Sequence, residues 1–149
     1  MNRKAPALII LFISNLFSPL FAAATGIEEQ LVIENAWIAE APPVSRVMVA
    51  YMTLNNTGPE SMEIIRAASD MYSSIEFHET IEQNGMATMI RHESLTIPAN
   101  NALELKRGGP HLMLFNPVKP LVAGDSVDIT FTTKNNTAKT VSVTVKKAQ

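Results

Sequence analysis

Two histidines and two methionines have spacings that would let them bind a single metal ion. His111 and Met113 lie two residues apart in a segment with the composition of a β-strand, so both side chains leave the same face of that strand. Gly108-Gly109-Pro110 comes immediately before them and predicts a tight turn, so His111 should lie near the end of a loop. The segment therefore predicts one histidine and one methionine on a common strand face.

A second histidine and methionine flank a predicted hairpin turn. Asn84-Gly85 is the strongest short hairpin signal that a sequence can carry, and it lies between His78 and Met89. If these two residues form the turn, Thr80 lies opposite Met89 and His78 lies opposite Arg91. His78 and Met89 are then diagonal neighbours on one face, about 7–8 Å apart at the backbone. One ion between their side-chain tips is within reach of both.

The four side chains form a donor set that suits copper(I). Thioethers are soft donors and imidazole is a good copper ligand. Zinc, magnesium and calcium prefer imidazole, thiolate or oxygen ligands, so two methionines select against them. His78, Met89, His111 and Met113 therefore predict a site for one copper(I) ion. Neutral donors also hold the ion less tightly than thiolates would, which suits a protein that gives up its metal.

The chain contains no cysteine. This excludes thiol nucleophiles, dithiol redox pairs, and cysteine-ligated zinc and iron–sulfur sites. It also excludes a blue-copper electron-transfer centre, which requires a cysteine sulfur. An exported domain without disulfides must be stable through its core alone.

The third histidine and the other methionines are assigned mainly to packing or solvent. Met48 and Met52 lie among apolar neighbours and are expected in the core, as methionine usually is in β proteins. Met86 stands beside the turn, where it is either a packing residue or an auxiliary ligand. His92 falls on the opposite strand face from Met89 in a regular hairpin, so we expect it in solvent. Spacing alone leaves open that all four donors are ordinary core or surface residues.

Short β-branched and aromatic segments separated by turn residues make up the chain after residue 30. Apolar and polar residues alternate over residues 126–133, with Val127, Ile129 and Phe131 on one face. No segment shows the sustained apolar periodicity of an amphipathic helix. Nine short strands at this spacing predict an all-β fold, either a sandwich or a barrel. The predicted strands are Leu31–Ile38, Arg46–Asn55, Met62–Ala68, Ser74–Thr80, Met86–His92, Ala102–Lys106, His111–Phe115, Ser126–Thr133 and Ala138–Lys146.

The 149 residues fit one domain preceded by an export signal. Arg3 and Lys4 precede a largely apolar stretch, and Ala22-Ala23-Ala24 supplies an A-x-A cleavage pattern. We expect residues 1–24 to be a cleaved signal peptide and residues 25–149 to be the folded domain, with a permanent membrane anchor as the alternative. Loss of Arg3 and Lys4 changes the formal net charge from −2 to −4. This mildly acidic balance indicates neither a nucleic-acid partner nor binding to anionic lipid.

The four predicted donors follow the pattern H-x10-M-x21-H-x-M without a gap. In this respect the chain resembles the PCu(A)C-type periplasmic copper chaperones, in which the pattern is the copper signature. The resemblance covers nearly all of the chain after the signal and includes further family landmarks. These landmarks are Ile33-Glu34-Asn35-Ala36-Trp37, Ala41-Pro42-Pro43, Ala50-Tyr51-Met52-Thr53-Leu54, Asn56-Thr57-Gly58 and Gly108-Gly109-x-His111-x-Met113.

The resemblance implies a cupredoxin-like Greek-key β-sandwich that binds one copper(I) ion through His78, Met89, His111 and Met113. It also implies a soluble periplasmic carrier that delivers copper towards the Cu(A) centre of cytochrome c oxidase. The expected partner is a copper acceptor such as the Cu(A) subunit of the oxidase or a Sco-type protein. Two departures stand out. Ala87 occupies a position where family members often carry another methionine, and residues up to Gln149 include no His/Met-rich tail, so we expect no second, copper(II)-binding extension.

Other functions make different predictions. A copper enzyme would need an open coordination position and a proton donor, and no histidine cluster or pair of carboxylates supports one, so we expect no enzymatic activity. A copper-tolerance or storage protein would use the same four donors. A non-metal sandwich that serves as an interaction module would use the methionines for packing and would ignore copper.

Overall fold

The structure, a computed structural model, describes residues 30–148 and has ten β-strands in that range. The all-β prediction is confirmed. The strands are β1 (Leu31–Ala39), β2 (Val47–Asn56), β3 (Met62–Ala68), β4 (Tyr72–Gln83), β5 (Met86–His92), β6 (Leu95–Ile97), β7 (Asn101–Leu105), β8 (Pro110–Pro117), β9 (Ser126–Thr133) and β10 (Ala138–Lys146). The expected signal peptide, residues 1–24, lies outside the described residues.

The strands form one hydrogen-bonded path in the order β5-β4-β8-β2-β1-β10-β9-β3-β6, with β7 also paired to β2. Alternate residues of β2 and β9 are buried. The predicted alternation of β9 is confirmed, since Val127, Ile129 and Phe131 are at most 3% exposed. Met48 and Met52 of β2 are buried in the same core, as predicted. The path has two halves, β5-β4-β8-β2 and β10-β9-β3-β6, joined by β1. The apolar faces of the two halves share one core, in a cupredoxin-like β fold.

Strand β1 connects the two halves of the sheet path. It pairs antiparallel with β2, and its last three residues, Trp37 to Ala39, also pair in parallel with β10. The register with β2 shifts between Glu34 and Trp37, where Asn35 has a φ of 53°. This bulge bends the strand at the point where it begins to pair with β10.

The β4–β5 hairpin has the predicted turn and register. Asn84 and Gly85 both have positive φ, 54° and 74°, as a two-residue hairpin turn of type I′ requires. Thr80 lies opposite Met89, and His78 lies opposite Arg91. His78 and Met89 are therefore diagonal neighbours on one face of the hairpin.

Strand β6 was not predicted from the sequence. It is three residues long and pairs with β3, and its two outer residues, Leu95 and Ile97, are buried. Three residues followed by Pro98 are too short for a period of two to be recognised. Within residues 30–148, no helix has the length and apolar character needed to cross a membrane.

Candidate metal centre

Strand β4 brings the two predicted histidine ligands together. It lies between β5 and β8, and His78 faces His111 on β8 directly across the ladder. The ring centroids are 6.2 Å apart, with an angle of 32° between the ring planes. The sequence predicted the two halves of the site separately, and the β4–β8 pairing joins them.

The two imidazoles lie on the outer face of the sheet, yet they are largely shielded from water. Neighbouring residues on the same strands, Phe77 and Leu112, point into the core, so His78 and His111 project from the other face. His111 is 6% exposed and the side chain of His78 is 14% exposed. The ring of Phe115 lies 6.4 Å from that of His78, centroid to centroid. Burial beside an aromatic ring makes an unpaired polar atom costly at this position.

Hydrogen bonds determine which ring nitrogen of each histidine is left for a metal. Nδ1 of His111 is 2.9 Å from the carbonyl oxygen of Gly109, so Nδ1 donates and Nε2 keeps its lone pair. Nε2 of His78 is 2.8 Å from Oε2 of Glu76. An ionised carboxylate only accepts, so Nε2 of His78 carries the proton and Nδ1 keeps the lone pair. That Nδ1 is buried and has no hydrogen-bond partner among residues 30–148.

Glu76 is part of the site and was missed by the sequence analysis. Its Oε2 accepts the hydrogen bond from His78, and its Oε1 lies 3.6 Å from a guanidinium nitrogen of Arg91. Glu76 is two residues before His78, so strand alternation places it on the same face. That alternation could have identified it, but the analysis considered only metal donors. Carboxylates that hold a metal-binding histidine in this way orient the ring.

The two predicted methionine ligands approach the histidines from opposite sides. Met113 is half-buried and lies opposite Glu76 on β4, next to His111 along β8. Met89 lies opposite Thr80 on β5 and is 52% exposed. Both are diagonal to His78, but in opposite directions along β4. They are separated by two strand spacings, about 10 Å, and by four residues along the strands.

Met86 and His92 lie on the other face of the hairpin. Met86 faces Gln83 across the turn and is 67% exposed, so it does not point towards His78 in this register. His92 is 2.8 Å from Oε2 of Glu79, on the face opposite Met89. The structure therefore brings His78, His111 and Met113 close together, places Met89 at the exposed margin, and leaves Met86 out.

No three His, Asp or Glu side chains converge on a possible metal position in the part of the chain that the structure describes. Nitrogen and oxygen donors alone therefore do not make a site here. The thioethers of Met113 and Met89 are the remaining candidate donors on this face. This donor set fits a soft monovalent cation better than zinc or calcium.

Comparisons with known proteins identify the family of the chain. The model of a family described as LpqE-like, "Putative lipoprotein LpqE-like", matches residues 31–145. "Putative lipoprotein Lxx21020" of Leifsonia xyli subsp. xyli is 34% identical over 115 residues, which cover 76% of this chain and 68% of that protein. The chain spans between 53% and 68% of the length of the curated relatives that it matches.

Two solved structures extend the comparison to the fold. The solution structure of CuI-DR1885 from Deinococcus radiodurans superposes with a TM-score of 0.66 at 35% identity, covering 84% of this chain and 83% of that one. The copper-bound PCuAC domain from PmoF2 gives a TM-score of 0.68 at 18% identity, covering 80% of this chain and 94% of that one. The second likeness, at that low identity, concerns the fold alone.

Proposed function

The chain belongs to the LpqE-like family, and from this premise and the geometry of the site we propose that it is an exported copper(I)-binding metallochaperone. One ion is bound through His78, Met89, His111 and Met113. The PCuAC domain of PmoF2 and DR1885 are described as copper-bound and CuI-bound, which supports copper(I) as the cargo.

The observation that carries the proposal is the unpartnered Nδ1 of His78. Buried ring nitrogens are normally hydrogen-bonded, so an orphaned lone pair calls for a ligand. It belongs to the histidine directly opposite His111, whose Nε2 is likewise left as a lone pair by the bond to Gly109. With the sulfur of Met113 beside them, the site offers soft and borderline donors without a net charge, which favours copper(I) over harder divalent ions.

Release of the ion is supported by the position of Met89. This residue is half-exposed and lies on the outer strand of the hairpin, whereas His78 and His111 are shielded. An acceptor can therefore replace the Met89 sulfur first while the histidines still hold the ion. We propose delivery outside the cytoplasm, after removal of residues 1–24, towards the Cu(A) centre of cytochrome c oxidase, directly or through a Sco-type partner. Carriage without turnover, rather than catalysis, is the expected activity.

The test is a titration of the protein with copper(I) in competition with a chromophoric chelator. We expect one tightly bound equivalent, and loss of that binding in the Met89→Ala/Met113→Ala double variant, with circular dichroism showing that the variant remains folded. Met86→Ala is the matched control, because this methionine is exposed but lies on the other face. Equal binding by the wild type and the double variant would rule out the four-donor site.

Copper tolerance or storage is the alternative use of the same site. A storage protein would keep its ion when mixed with an apo Cu(A) domain, whereas a carrier would transfer it. Transfer is read from the visible absorption of the mixed-valence Cu(A) centre after oxidation of the acceptor. A non-metal interaction module would bind no copper in either experiment.

A further inference from the structure

One end of the sheet path is an exposed edge strand. β5 pairs with β4, and no strand within residues 30–148 pairs with its other side. β6, at the opposite end of the path, is three residues long and is followed by Pro98, and a short strand ended by proline is protected against further pairing. β5 is seven residues long, contains no proline, glycine or lysine, and keeps one register with β4 throughout. Its outer side therefore lacks the usual protections of an edge.

The turn of the β4–β5 hairpin determines which backbone groups of β5 lie on that outer side. A two-residue turn is closed by a hydrogen-bonded pair, here Gln83 and Met86, and hydrogen-bonded and non-hydrogen-bonded pairs alternate from there. Thr80 fits this alternation, because its N–H donates to the carbonyl of Gly109, on the side of β8. The N–H and C=O groups that point away from β4 are those of three exposed residues, which we call the β5 edge: Ala87, Met89 and Arg91.

The β5 edge is complementary to itself when two copies run antiparallel. With Met89 opposite Met89 of the second copy, each Ala87 lies opposite an Arg91, so no like charges meet. All three of these pairs are hydrogen-bonded, with about six backbone bonds in total. On the other face of the strand the same register places Thr88 opposite Ile90, and both are β-branched residues that suit strand pairing.

Charge complementarity favours the same register. Glu82 on β4 is exposed and lies opposite Ala87. In the paired strands Arg91 of one copy therefore shares a row with Ala87 and Glu82 of the other, and the small Ala87 leaves room for the guanidinium to reach Glu82, whose strand is about 10 Å away. Within its own copy Arg91 lies 3.6 Å from Glu76, beyond hydrogen-bond distance, and its side chain is 57% exposed. The guanidinium has further N–H donors for a second carboxylate.

We propose that the β5 edge is a self-association surface, at which two copies of the chain pair antiparallel about Met89. The paired strands are roughly 23 Å long and one strand wide, which is smaller than a standard interface, so the dimer forms reversibly and weakly. Backbone hydrogen bonds hold the copies together, so pairing does not require a metal ion. One consequence rests on the proposed function: each copy places its Met89 thioether beside the exposed margin of the other copy's metal centre.

Disulfide cross-linking tests the register, because the chain has no cysteine of its own. In the proposed dimer the Cα atoms of the two Met89 residues are about 5.5 Å apart, within the span of a disulfide. We expect Met89→Cys to form covalent dimers in oxidised glutathione. Met86→Cys is the matched control: Met86 is more exposed, 67% against 52%, but its two copies are six residues out of register, about 20 Å apart. Equal cross-linking of the two variants would contradict the register.

Analytical ultracentrifugation of the metal-free protein tests the association itself. We expect the average mass to rise towards that of a dimer between about 10 µM and 1 mM protein. Ala87→Pro removes an N–H that points away from β4, so it should abolish pairing while circular dichroism shows that the fold is kept. Glu82→Lys should weaken the dimer about tenfold or more, because the lysine repels Arg91. Glu60→Lys is the matched control, the same charge change at an exposed position just before β3.

A wild type that is monomeric at about 1 mM, or unchanged dimerisation of both Ala87→Pro and Glu82→Lys, would overturn the proposal. It would also be overturned by a monomeric wild type that binds an apo Cu(A) domain unless Ala87→Pro is present, because the edge would then serve the acceptor. Copper(I) titration against a chelator separates this proposal from the proposed function. Metal-free dimers of a protein that binds no copper would support edge pairing and contradict the metallochaperone role, and a copper-binding monomer would do the reverse.

Discussion

The carboxylate of Glu76 determines which nitrogen of His78 keeps its lone pair. Its Oε2 accepts a hydrogen bond from the N–H at Nε2 of His78, with 2.8 Å between the heavy atoms, and a guanidinium nitrogen of Arg91 lies 3.6 Å from its Oε1. Gly109 does the same for His111 through a backbone carbonyl. The two histidines therefore offer different nitrogens, Nδ1 of His78 and Nε2 of His111, and neither choice depends on the metal being present.

Removal of the Glu76 carboxylate should weaken copper binding without unfolding the protein. We expect Glu76→Ala to lower copper(I) affinity about 10- to 100-fold, and Glu76→Gln to recover much of the loss because its amide oxygen still accepts from Nε2. Chelator competition measures the affinity, and ¹⁵N NMR of the histidine rings measures the tautomer. Glu79→Ala is the control, because Oε2 of Glu79 lies 2.8 Å from Nε2 of His92, as Glu76 does from His78, but on the other face of the hairpin. A similar copper affinity for both alanine variants would show that Glu76 does not orient His78.

At the residue scale the sequence identified the candidate metal donors but not the residues that orient them. Alternation along a strand placed His111 with Met113, and an Asn-Gly turn placed His78 with Met89. The direct opposition of His78 and His111 could not be predicted, because the β4–β8 pairing joins segments about 30 residues apart whose register no local signal sets. The assignment of the four side chains as ligands stays a prediction.

The β4–β5 hairpin sets the distance between Met89 and the other donors. Its register follows from the two residues of positive φ in the turn. Because Met89 and Met113 flank His78 on opposite diagonals, the hairpin must curl towards β8 for both sulfurs to reach one ion. Binding of one ion by the four proposed ligands would therefore depend on the hairpin more than on the core.

Gly85→Ala should test this role of the hairpin. Gly85 has a φ of 74° and a Cβ would meet nothing within 4 Å, so the cost is the left-handed backbone alone, about 1–2 kcal/mol of stability. We expect a matching loss in urea unfolding and a fall in copper(I) affinity, because the position of Met89 depends on the turn. Gly124→Ala is the matched control: Gly124 also has a positive φ, 102°, and a Cβ there would also meet nothing within 4 Å. Its turn lies far along the chain from the candidate ligands. It should lose stability and keep its copper affinity, and equal affinities of the two variants would contradict the hairpin's role.

Strand β6 shows the limit of sequence analysis at the scale of elements. Long strands with alternating residues, such as β9 and β10, were predicted with the observed bounds. The three residues of β6 carry too few positions to show a period, and they form a strand because pairing with β3 buries Leu95 and Ile97. Its tertiary context therefore determines the strand.

One core shared by two halves of a folded-over sheet gives the molecule its stability. Tyr72 contributes to it at the start of β4: its hydroxyl lies 3.4 Å from the sulfur of Met48, and the residue is 6% exposed. Burial disfavours the phenolate and raises the pKa of Tyr72 to about 12, above its ordinary value of 10. The folded protein thus keeps this proton to a higher pH than the unfolded chain does.

The alkaline stability of the whole protein should depend on Tyr72. The stabilisation from a neutral Tyr72 is fully present below pH 10 and is lost as the pH rises through about 12. We expect the unfolding free energy of the wild type to fall more steeply between pH 10 and 12 than that of Tyr72→Phe, in urea titrations at each pH. Tyr51→Phe should retain the steep fall, because Tyr72 is intact. Parallel pH dependence of the wild type and Tyr72→Phe would contradict this account.

At the scale of the molecule, composition and strand patterning predicted the fold class but not the order of the strands. The short strands, the turn residues between them and the lack of helical periodicity indicated an all-β domain, and the resemblance narrowed this to a cupredoxin-like fold. The strand order depends on pairings across long stretches of chain, such as β1 with β10. Such contacts come from the shape of the packed core rather than from local propensity.

X-ray absorption at the copper K-edge tests the central claim most directly. The samples are the wild type, Met89→Leu and Met86→Leu, each loaded with one equivalent of copper(I). We predict two sulfur and two nitrogen donors in the wild type, loss of one sulfur in Met89→Leu, and an unchanged spectrum in Met86→Leu. A copper environment without sulfur, or the same number of sulfurs in all three proteins, would contradict the assignment of His78, Met89, His111 and Met113 as the copper ligands.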